Sequence, residues 1–138
     1  MKKYQYQLIQ YVHDHFTGEF VNAGVIVYAP DHTYLSCKIL KRHARIKALF
    51  PQVNGRFVDR VLRSIEVNIR HKSKELEELF RPAEQLDKIT ENVLPRDNSA
   101  IQLTTVKYAL DLDFDTALND LFNQLVEKYM PEISKNKS

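Results

Sequence analysis

Three polar side chains close together in the sequence have the types and the spacing of metal ligands. His13 and His15 are two positions apart, so they lie on the same side of an extended segment, and Glu19 follows shortly after them. A structural zinc site takes four ligands, mostly Cys and His. No cysteine or further histidine stands where it could complete such a set. We therefore expect no metal site.

The chain also lacks the sequence features of nucleophilic catalysis and of nucleotide binding. Cys37 is the single cysteine, it falls in the middle of a predicted strand, and no base is placed beside it. There is no Gly-x-Ser-x-Gly motif. The three glycines, Gly18, Gly24 and Gly55, are too few and too scattered for a phosphate-binding loop. The sequence thus predicts no cofactor and leans away from an enzyme.

A cluster of basic residues follows the third predicted strand. It comprises Lys41, Arg42, Arg45 and Lys47. A short helix could place these side chains on one face, where they would contact phosphates. No aromatic residue is interleaved with them for stacking on single-stranded bases. We favour a solvated helix face, and weak nucleic-acid binding stays the alternative.

The most unusual polar segment stands directly before the apolar run Val25–Tyr28. Gly24 inside a strand suggests a bulge, with a positive φ or a close backbone approach. Asn22 can hydrogen-bond backbone groups. Glu19 needs a partner if it lies beside a core strand, and backbone amides or Arg96 could provide one. These residues either hold a bulged strand entry, which we favour, or line a polar pocket.

Hydrophobic periodicity predicts the elements that position these residues. Alternation predicts four strands, at residues 4–13, 22–29, 33–40 and 101–110. Helical spacing predicts helices at 41–50, at 54–80 as one helix or two, and from the N-cap Asp113 to before Pro131. The first three strands should form an antiparallel meander, and residues 83–100 show no regular pattern. The expected fold class is α+β, an antiparallel sheet of about four strands with helices packed on one face.

Length and composition are those of one globular domain. The chain has 138 residues, of which 43% are hydrophobic and 28% charged. Its start has no apolar stretch typical of a signal peptide, and no run approaches the ~18 apolar residues of a spanning helix. We expect a cytoplasmic protein with no membrane contact and with a disordered tail from about residue 132.

Charge is divided unevenly along the chain. Residues 1–72 carry 12 Lys and Arg against 5 Asp and Glu, whereas residues 73–138 carry 8 against 13. This division could reflect a basic surface for an anionic partner, two halves that pack on each other, or neither.

The segment from Gly18 to Val25, with Tyr6 in the preceding strand, resembles the signature G-E-F-x-N-x-G-V of the bacterial family called domain of unknown function 3037. Pro95-Arg96, Ser99 and Gln102 are similar to its P-R-S-x-x-x-Q segment, although Asp97-Asn98 is inserted before the serine. Residues 115–126 are similar to its last helix. Members are often encoded beside a HipA-like kinase, so the resemblance implies an accessory role to such a partner. It implies no catalytic residue.

Two functional hypotheses remain. The first is a non-enzymatic binding or accessory module that acts through a protein partner. The second is a small enzyme or nucleic-acid-binding protein with a polar site that uses the side chains of Glu19, Asn22, Arg96 and Gln102, beside Gly24. Convergence of these side chains in an open cleft would favour the second hypothesis. Hydrogen bonds to the backbone would favour the first.

Overall fold

The protein is described by a computed structural model that covers residues 1–79, 84–94 and 100–131. The strands are β1 Lys2–Asp14, β2 Glu19–Ala29, β3 Tyr34–Ile39, β4 Ile101–Leu103 and β5 Lys107–Asp111. The α-helices are α1 Ala44–Leu49, α2 Gly55–Leu79, α3 Leu86–Thr90 and α4 Phe114–Leu125. Single 3₁₀ turns lie at Pro30–His32 and Glu127–Tyr129. The predicted α+β class with an antiparallel sheet is confirmed. The tail predicted to be disordered lies outside the described residues.

The strand β1 lies at the centre of the sheet. The predicted meander is confirmed, because β2 pairs antiparallel with β1 and β3 pairs antiparallel with β2. On the other edge of β1, β5 pairs with residues 2–6 and β4 pairs with residues 9–11. The single strand predicted at 101–110 is therefore two strands. Residues 104–106 separate them, and at Thr104 the side-chain hydroxyl accepts the hydrogen bond from the Leu8 amide at 2.9 Å in place of a backbone carbonyl.

Helices cover both faces of the sheet, whereas the sequence suggested one face. Along β3, Tyr34 donates to Asp115 of α4 at 2.6 Å and Lys38 donates to Asn119 of α4 at 3.1 Å. The intervening Cys37 lies on the opposite face, against α2. The physical reason is β2, in which every residue from 23 to 29 is buried, so that both of its sides need a covering layer.

The longest helix, α2, forms the larger of these layers. Asn54 caps it, because its Oδ1 accepts a hydrogen bond from the amide of Phe57 at 3.1 Å. A stripe of apolar residues at helical spacing then faces the sheet and is almost completely buried: Val58, Val61, Leu62, Ile65 and Ile69. Among the described helices, none is both long enough and apolar enough to cross a membrane.

The short helix α3 lies in the segment that showed no regular pattern. Two glutamines of β1 hold it to the sheet. Gln5 accepts a hydrogen bond from the Leu86 amide at 2.8 Å, and Gln7 accepts one from the Thr90 hydroxyl at 2.7 Å. The Gln7 side chain is buried and also donates to the Thr104 carbonyl at 2.9 Å. A five-residue helix held by such long-range contacts leaves no periodic signal in its own sequence.

Candidate functional site

The turn that joins β1 to β2 is held by its own polar groups. Asp14 Oδ1 accepts hydrogen bonds from the amides of Phe16 at 2.8 Å and Thr17 at 3.3 Å. These two amides, Phe16 first, lower the pKa of the Asp14 carboxyl below its ordinary value. Gly18 adopts a φ of 77°, which favours glycine, and its amide donates to the Asp14 carbonyl. We call residues 14–20 the hairpin tip.

Glu19 belongs to this hairpin tip and is exposed. Its Oε1 accepts a hydrogen bond from the Thr17 hydroxyl at 3.1 Å, and its amide donates to the same hydroxyl at 3.4 Å. The sequence had suggested a carboxylate beside the core that needs a backbone amide or Arg96 as its partner. Glu19 instead closes the turn in contact with solvent. Arg96 lies outside the described residues.

The hairpin tip presents two phenylalanines to solvent. Phe16 is 102% exposed and Phe20 is 50% exposed.

The neighbouring His13, considered above as a metal ligand, stacks on Phe50 with ring centres 4.3 Å apart, and its Nδ1 lies 3.0 Å from the Tyr11 hydroxyl. Within residues 1–79, 84–94 and 100–131, no group of three or more His, Cys, Asp or Glu residues could hold a metal ion.

Asn22 ties the sheet to the last helix. The pairing shifts from Ile9–Gly24 to Gln10–Asn22, so Ala23 is the extra residue of a β-bulge. The Nδ2 of Asn22 donates to the carbonyl of Leu125, the last residue of α4, at 2.9 Å. Its Oδ1 accepts a hydrogen bond from Gln10 Nε2 at 3.0 Å. The amide therefore satisfies a carbonyl that the helix end leaves without an intrahelical donor.

Gly24 lies next to the bulge, in a conformation other than the positive φ considered above. A glycine is required there for space. A Cβ atom at this position would lie 2.9 Å from the carbonyl oxygen of Lys38 and 2.9 Å from Cδ1 of Ile9. Both distances are shorter than normal contacts, so β1, β2 and β3 approach each other closely only because residue 24 has no side chain.

The register brings two of the five predicted site residues into one row. Gln102 of β4 pairs with Gln10, which pairs with Asn22, so these three side chains share a face of the sheet. Glu19 is three positions from Asn22 on β2, and strand alternation places it on the opposite face. No described cleft therefore unites Glu19 with Asn22 and Gln102.

The basic residues around α1 have different surroundings from one another. Lys41, Arg42 and Lys47 are exposed. Arg45 turns inward and donates to the carbonyls of Pro131 at 2.9 Å, Met130 at 3.0 Å and Glu127 at 3.1 Å. It also forms an ion pair with the Glu127 carboxylate. Arg45 thus holds the segment after α4 to α1, a role that periodicity in either segment could not have shown.

A histidine–carboxylate pair beside α1 was missed by the sequence analysis. The Nδ1 of His43 lies 2.6 Å from Asp59 Oδ2, and Asp59 Oδ1 is buried without a hydrogen-bond partner among the described residues. The His43 ring lies over Gly55, where a Cβ would be 2.1 Å from the ring. Because the pair links the start of α1 to α2 and covers a glycine, its geometry is that of a packing contact.

Among the described residues, the outer strand β5 forms another exposed apolar surface. Tyr108 is 64% exposed and Leu110 is 53% exposed, and Leu112 just beyond the strand is 72% exposed. A recess of about 580 Å³ adjoins them and is lined by Lys3, Tyr4, Gln5, Pro30, Asp31, Tyr108, Ala109 and Leu110. We call the outer side of residues 107–111 the β5 edge. Sequence alternation identified the strand but could not show that it is the outermost one.

Comparisons with known proteins identify the family of the chain. The comparison with curated proteins and the comparison with solved structures each give no match. One family model, described as protein of unknown function (DUF3037), matches residues 6–126 and thus most of the 138 residues. The matched range includes the hairpin tip, the bulge at Ala23 and the β5 edge. The chain belongs to the DUF3037 family.

Proposed function

We propose that the chain is a non-enzymatic binding module that contacts a protein partner through the hairpin tip. The observation that carries this proposal is the complete exposure of Phe16 on a turn fixed by hydrogen bonds. Moving a large aromatic side chain from water into contact with a partner lowers the free energy of the complex. Because the turn is already ordered, binding loses little conformational entropy there.

The composition of the hairpin tip also suits a protein interface. Phe20 adds a second exposed aromatic side chain, and the polar residues Asp14, Thr17 and Glu19 stand beside the two phenylalanines in the sequence. An apolar anchor with a polar rim is the usual anatomy of a protein–protein contact, and aromatic anchors carry much of its binding energy. The partner surface that fits this tip is an apolar pocket with hydrogen-bond donors for carboxylates at its border.

The alternative, an enzyme or a nucleic-acid-binding protein, has less support. The amide of Asn22 is occupied by Leu125 and Gln10, and the guanidinium of Arg45 is occupied by residues 127–131. Three exposed cations remain near α1, at Lys41, Arg42 and Lys47. They could attract phosphate weakly, but no described residue provides a stacking surface among them.

A HipA-like kinase from the same bacterium is the first partner to test, because the family resemblance suggests it. Titration calorimetry would compare the parent chain with Phe16→Ala and Phe20→Ala. If Phe16 is the anchor, its removal should weaken binding by about 2 kcal/mol or more, roughly thirtyfold. The melting temperature should not change, since the Phe16 side chain contacts only solvent.

Tyr129→Ala provides the matched control. Tyr129 is 66% exposed on the 3₁₀ turn after α4, and its replacement should leave binding intact. If the kinase does not bind, affinity capture from the native host with quantitative mass spectrometry takes its place. Only proteins that the parent and Tyr129→Ala retain and that Phe16→Ala loses would support the proposal. Equal capture by all three chains would contradict it.

A further inference from the structure

The β5 edge combines two properties that water-exposed edge strands usually avoid. Its inner side pairs with β1, and none of the described residues pairs with its outer side. Tyr108 and Leu110 are nevertheless large, apolar and more than half exposed. Edge strands of soluble proteins normally carry a proline, a bulge or charged side chains, and the two charged residues here, Lys107 and Asp111, stand only at the ends of the strand. Residues 107–111 contain no proline, and their pairing with β1 has no register shift.

The register with β1 fixes which side chains of β5 share a face. Lys107, Ala109 and Asp111 pair with Tyr6, Tyr4 and Lys2, so they lie on the face that α4 covers. Tyr108 and Leu110 pair with Gln5 and Lys3 and lie on the face of α3, where Gln85 donates to the Tyr108 hydroxyl at 2.6 Å. One face of the strand therefore carries a cation at its first residue and an anion at its last. The other face carries two apolar side chains.

We infer that the β5 edge binds the β5 edge of a second copy of this chain, antiparallel and centred on Ala109. In this register Lys107 lies opposite Asp111 of the second copy, and Asp111 lies opposite the second copy's Lys107. Tyr108 lies opposite the second copy's Leu110. Directly opposed side chains have Cβ atoms about 4.5–5.5 Å apart, close enough for ion pairs and apolar contacts.

Charge complementarity selects a second copy over other occupants. Residues 107–111 run in the order cation, aromatic, alanine, leucine, anion. When a second copy runs antiparallel, each cation meets an anion and each aromatic residue meets a leucine, as a two-fold interface requires. The small residue Ala109 lies on the two-fold axis, where it faces Ala109 of the second copy. Leu112, exposed just after the strand, would lie opposite Val106 of the second copy and extend the apolar contact.

Asp111 can serve this contact without losing its present one. Its Oδ1 already accepts hydrogen bonds from the amides of Leu112 at 2.6 Å and Asp113 at 3.3 Å. Both bonds go to the same oxygen, which leaves Oδ2 for the ammonium group of the facing lysine.

The inferred dimer is independent of the proposed function. The β5 edge pairs with the first residues of β1, and the hairpin tip lies at the other end of that strand, which spans 13 residues. Tyr4, which pairs with Ala109, stands ten residues before Asp14, so at about 3.4 Å per residue the two surfaces are roughly 35 Å apart. Pairing through β5 would join two sheets into one and leave both hairpin tips exposed.

Sedimentation velocity of the whole chain over a concentration series tests the inference. The expected species has twice the 16.2 kDa mass of the chain. Lys107→Asp places a carboxylate opposite Asp111 at both ends of the interface, and Asp111→Lys does the same with ammonium groups. Each variant alone should dimerise about tenfold more weakly or not at all. An equimolar mixture of the two should restore the dimer, because every facing pair is then of opposite charge.

Two further variants separate the interface from folding defects. Arg63→Glu changes the charge equally at an exposed position of α2 and should dimerise like the parent. Leu110→Lys introduces a charge at a position that is already 53% exposed, so the chain should fold and lose its dimer even if Asp111→Lys is unstable. A parent chain that stays monomeric at every concentration overturns the inference. So does a dimer that Lys107→Asp and Leu110→Lys leave unchanged. Loss of the dimer without loss of partner binding, or the reverse, separates this inference from the proposed role of Phe16.

Discussion

Replacement of Asn22 tests whether the bulge in β2 and the end of α4 are stabilised by the same side chain. Asn22→Ala removes the hydrogen bond to the Leu125 carbonyl at 2.9 Å and the bond from Gln10 at 3.0 Å. A buried polar group left without a partner costs about 1–3 kcal/mol. Because Asn22 is half-buried, water can reach part of the site, and we expect a loss of about 2 kcal/mol. For a chain of this length that is a fall in melting temperature of roughly 6 °C.

Asn22→Asp separates the effect of the hydrogen bond that Asn22 donates from the effect of the one that it accepts. The new carboxylate can still accept a hydrogen bond from Gln10, but it faces the Leu125 carbonyl at the negative end of the α4 dipole. Only the protonated carboxyl can donate to that carbonyl, so folding should raise its pKa above the unfolded value of about 3.9. The variant should therefore approach the stability of the parent below that pH and lose stability as pH rises through its folded pKa.

Urea unfolding followed by circular dichroism at several pH values measures both variants against the parent. The loss of unfolding free energy in Asn22→Ala should be independent of pH, and the loss in Asn22→Asp should grow as pH rises. Glu19→Gln is the control, because Glu19 is exposed and glutamine can still accept the hydrogen bond from the Thr17 hydroxyl. If Asn22→Ala unfolds at the same urea concentration as the parent, the reasoning about this amide is refuted.

Three more outcomes are expected. Gly24→Ala should destabilise the protein by about 1–3 kcal/mol in urea unfolding, because its Cβ would lie 2.9 Å from the Lys38 carbonyl; an unchanged midpoint would contradict the crowding described there. Asp113 caps α4, and the amide of Thr116, followed by its hydroxyl, lowers the pKa of the Asp113 carboxyl, so the capping contribution is present above the unfolded pKa and is lost as pH falls through the folded pKa. The difference in melting temperature between the parent and Asp113→Ala should therefore shrink in acid. A constant difference would show that the charge of Asp113 does not contribute to the cap. Burial raises the pKa of the Cys37 thiol to about 12, so iodoacetamide at neutral pH should modify the native protein far more slowly than the urea-unfolded one, whereas equal rates would show an accessible thiolate.

Local patterns in the sequence were sufficient for much of the fold. Alternation identified the meander, and the N-cap Asp113 was predicted correctly, since its carboxylate accepts a hydrogen bond from the Thr116 amide at 2.9 Å. Gly24 and Asn22 indicate the bulge that the structure has at Ala23. These features depend on residues that are neighbours in the chain or on the preferences of single residue types.

Features that depend on distant residues could not be predicted in the same way. Gln7 is a polar residue in an alternating strand, and only the positions of Thr90 and Thr104 explain its burial. The basic cluster suggested a phosphate-binding face, but Arg45 contacts the segment 127–131, which the sequence does not place near it. The exposure of Phe16 likewise follows from the direction of the hairpin and not from its composition.

The central position of β1 has a consequence for the order in which the protein folds. One edge of β1 can pair with β2 as soon as the short hairpin forms, whereas the other edge needs β4 and β5. Gln7 and its partner Thr104 are 97 positions apart, so that contact closes a very long loop. β1 and β2 are synthesised long before residues 101–111, so in the growing chain the other edge of β1 lacks its partners until those residues follow, and we expect the closing of this edge to be a late step of folding. Until then the nascent chain has a long strand with one unpaired edge, which other proteins or chaperones can reach.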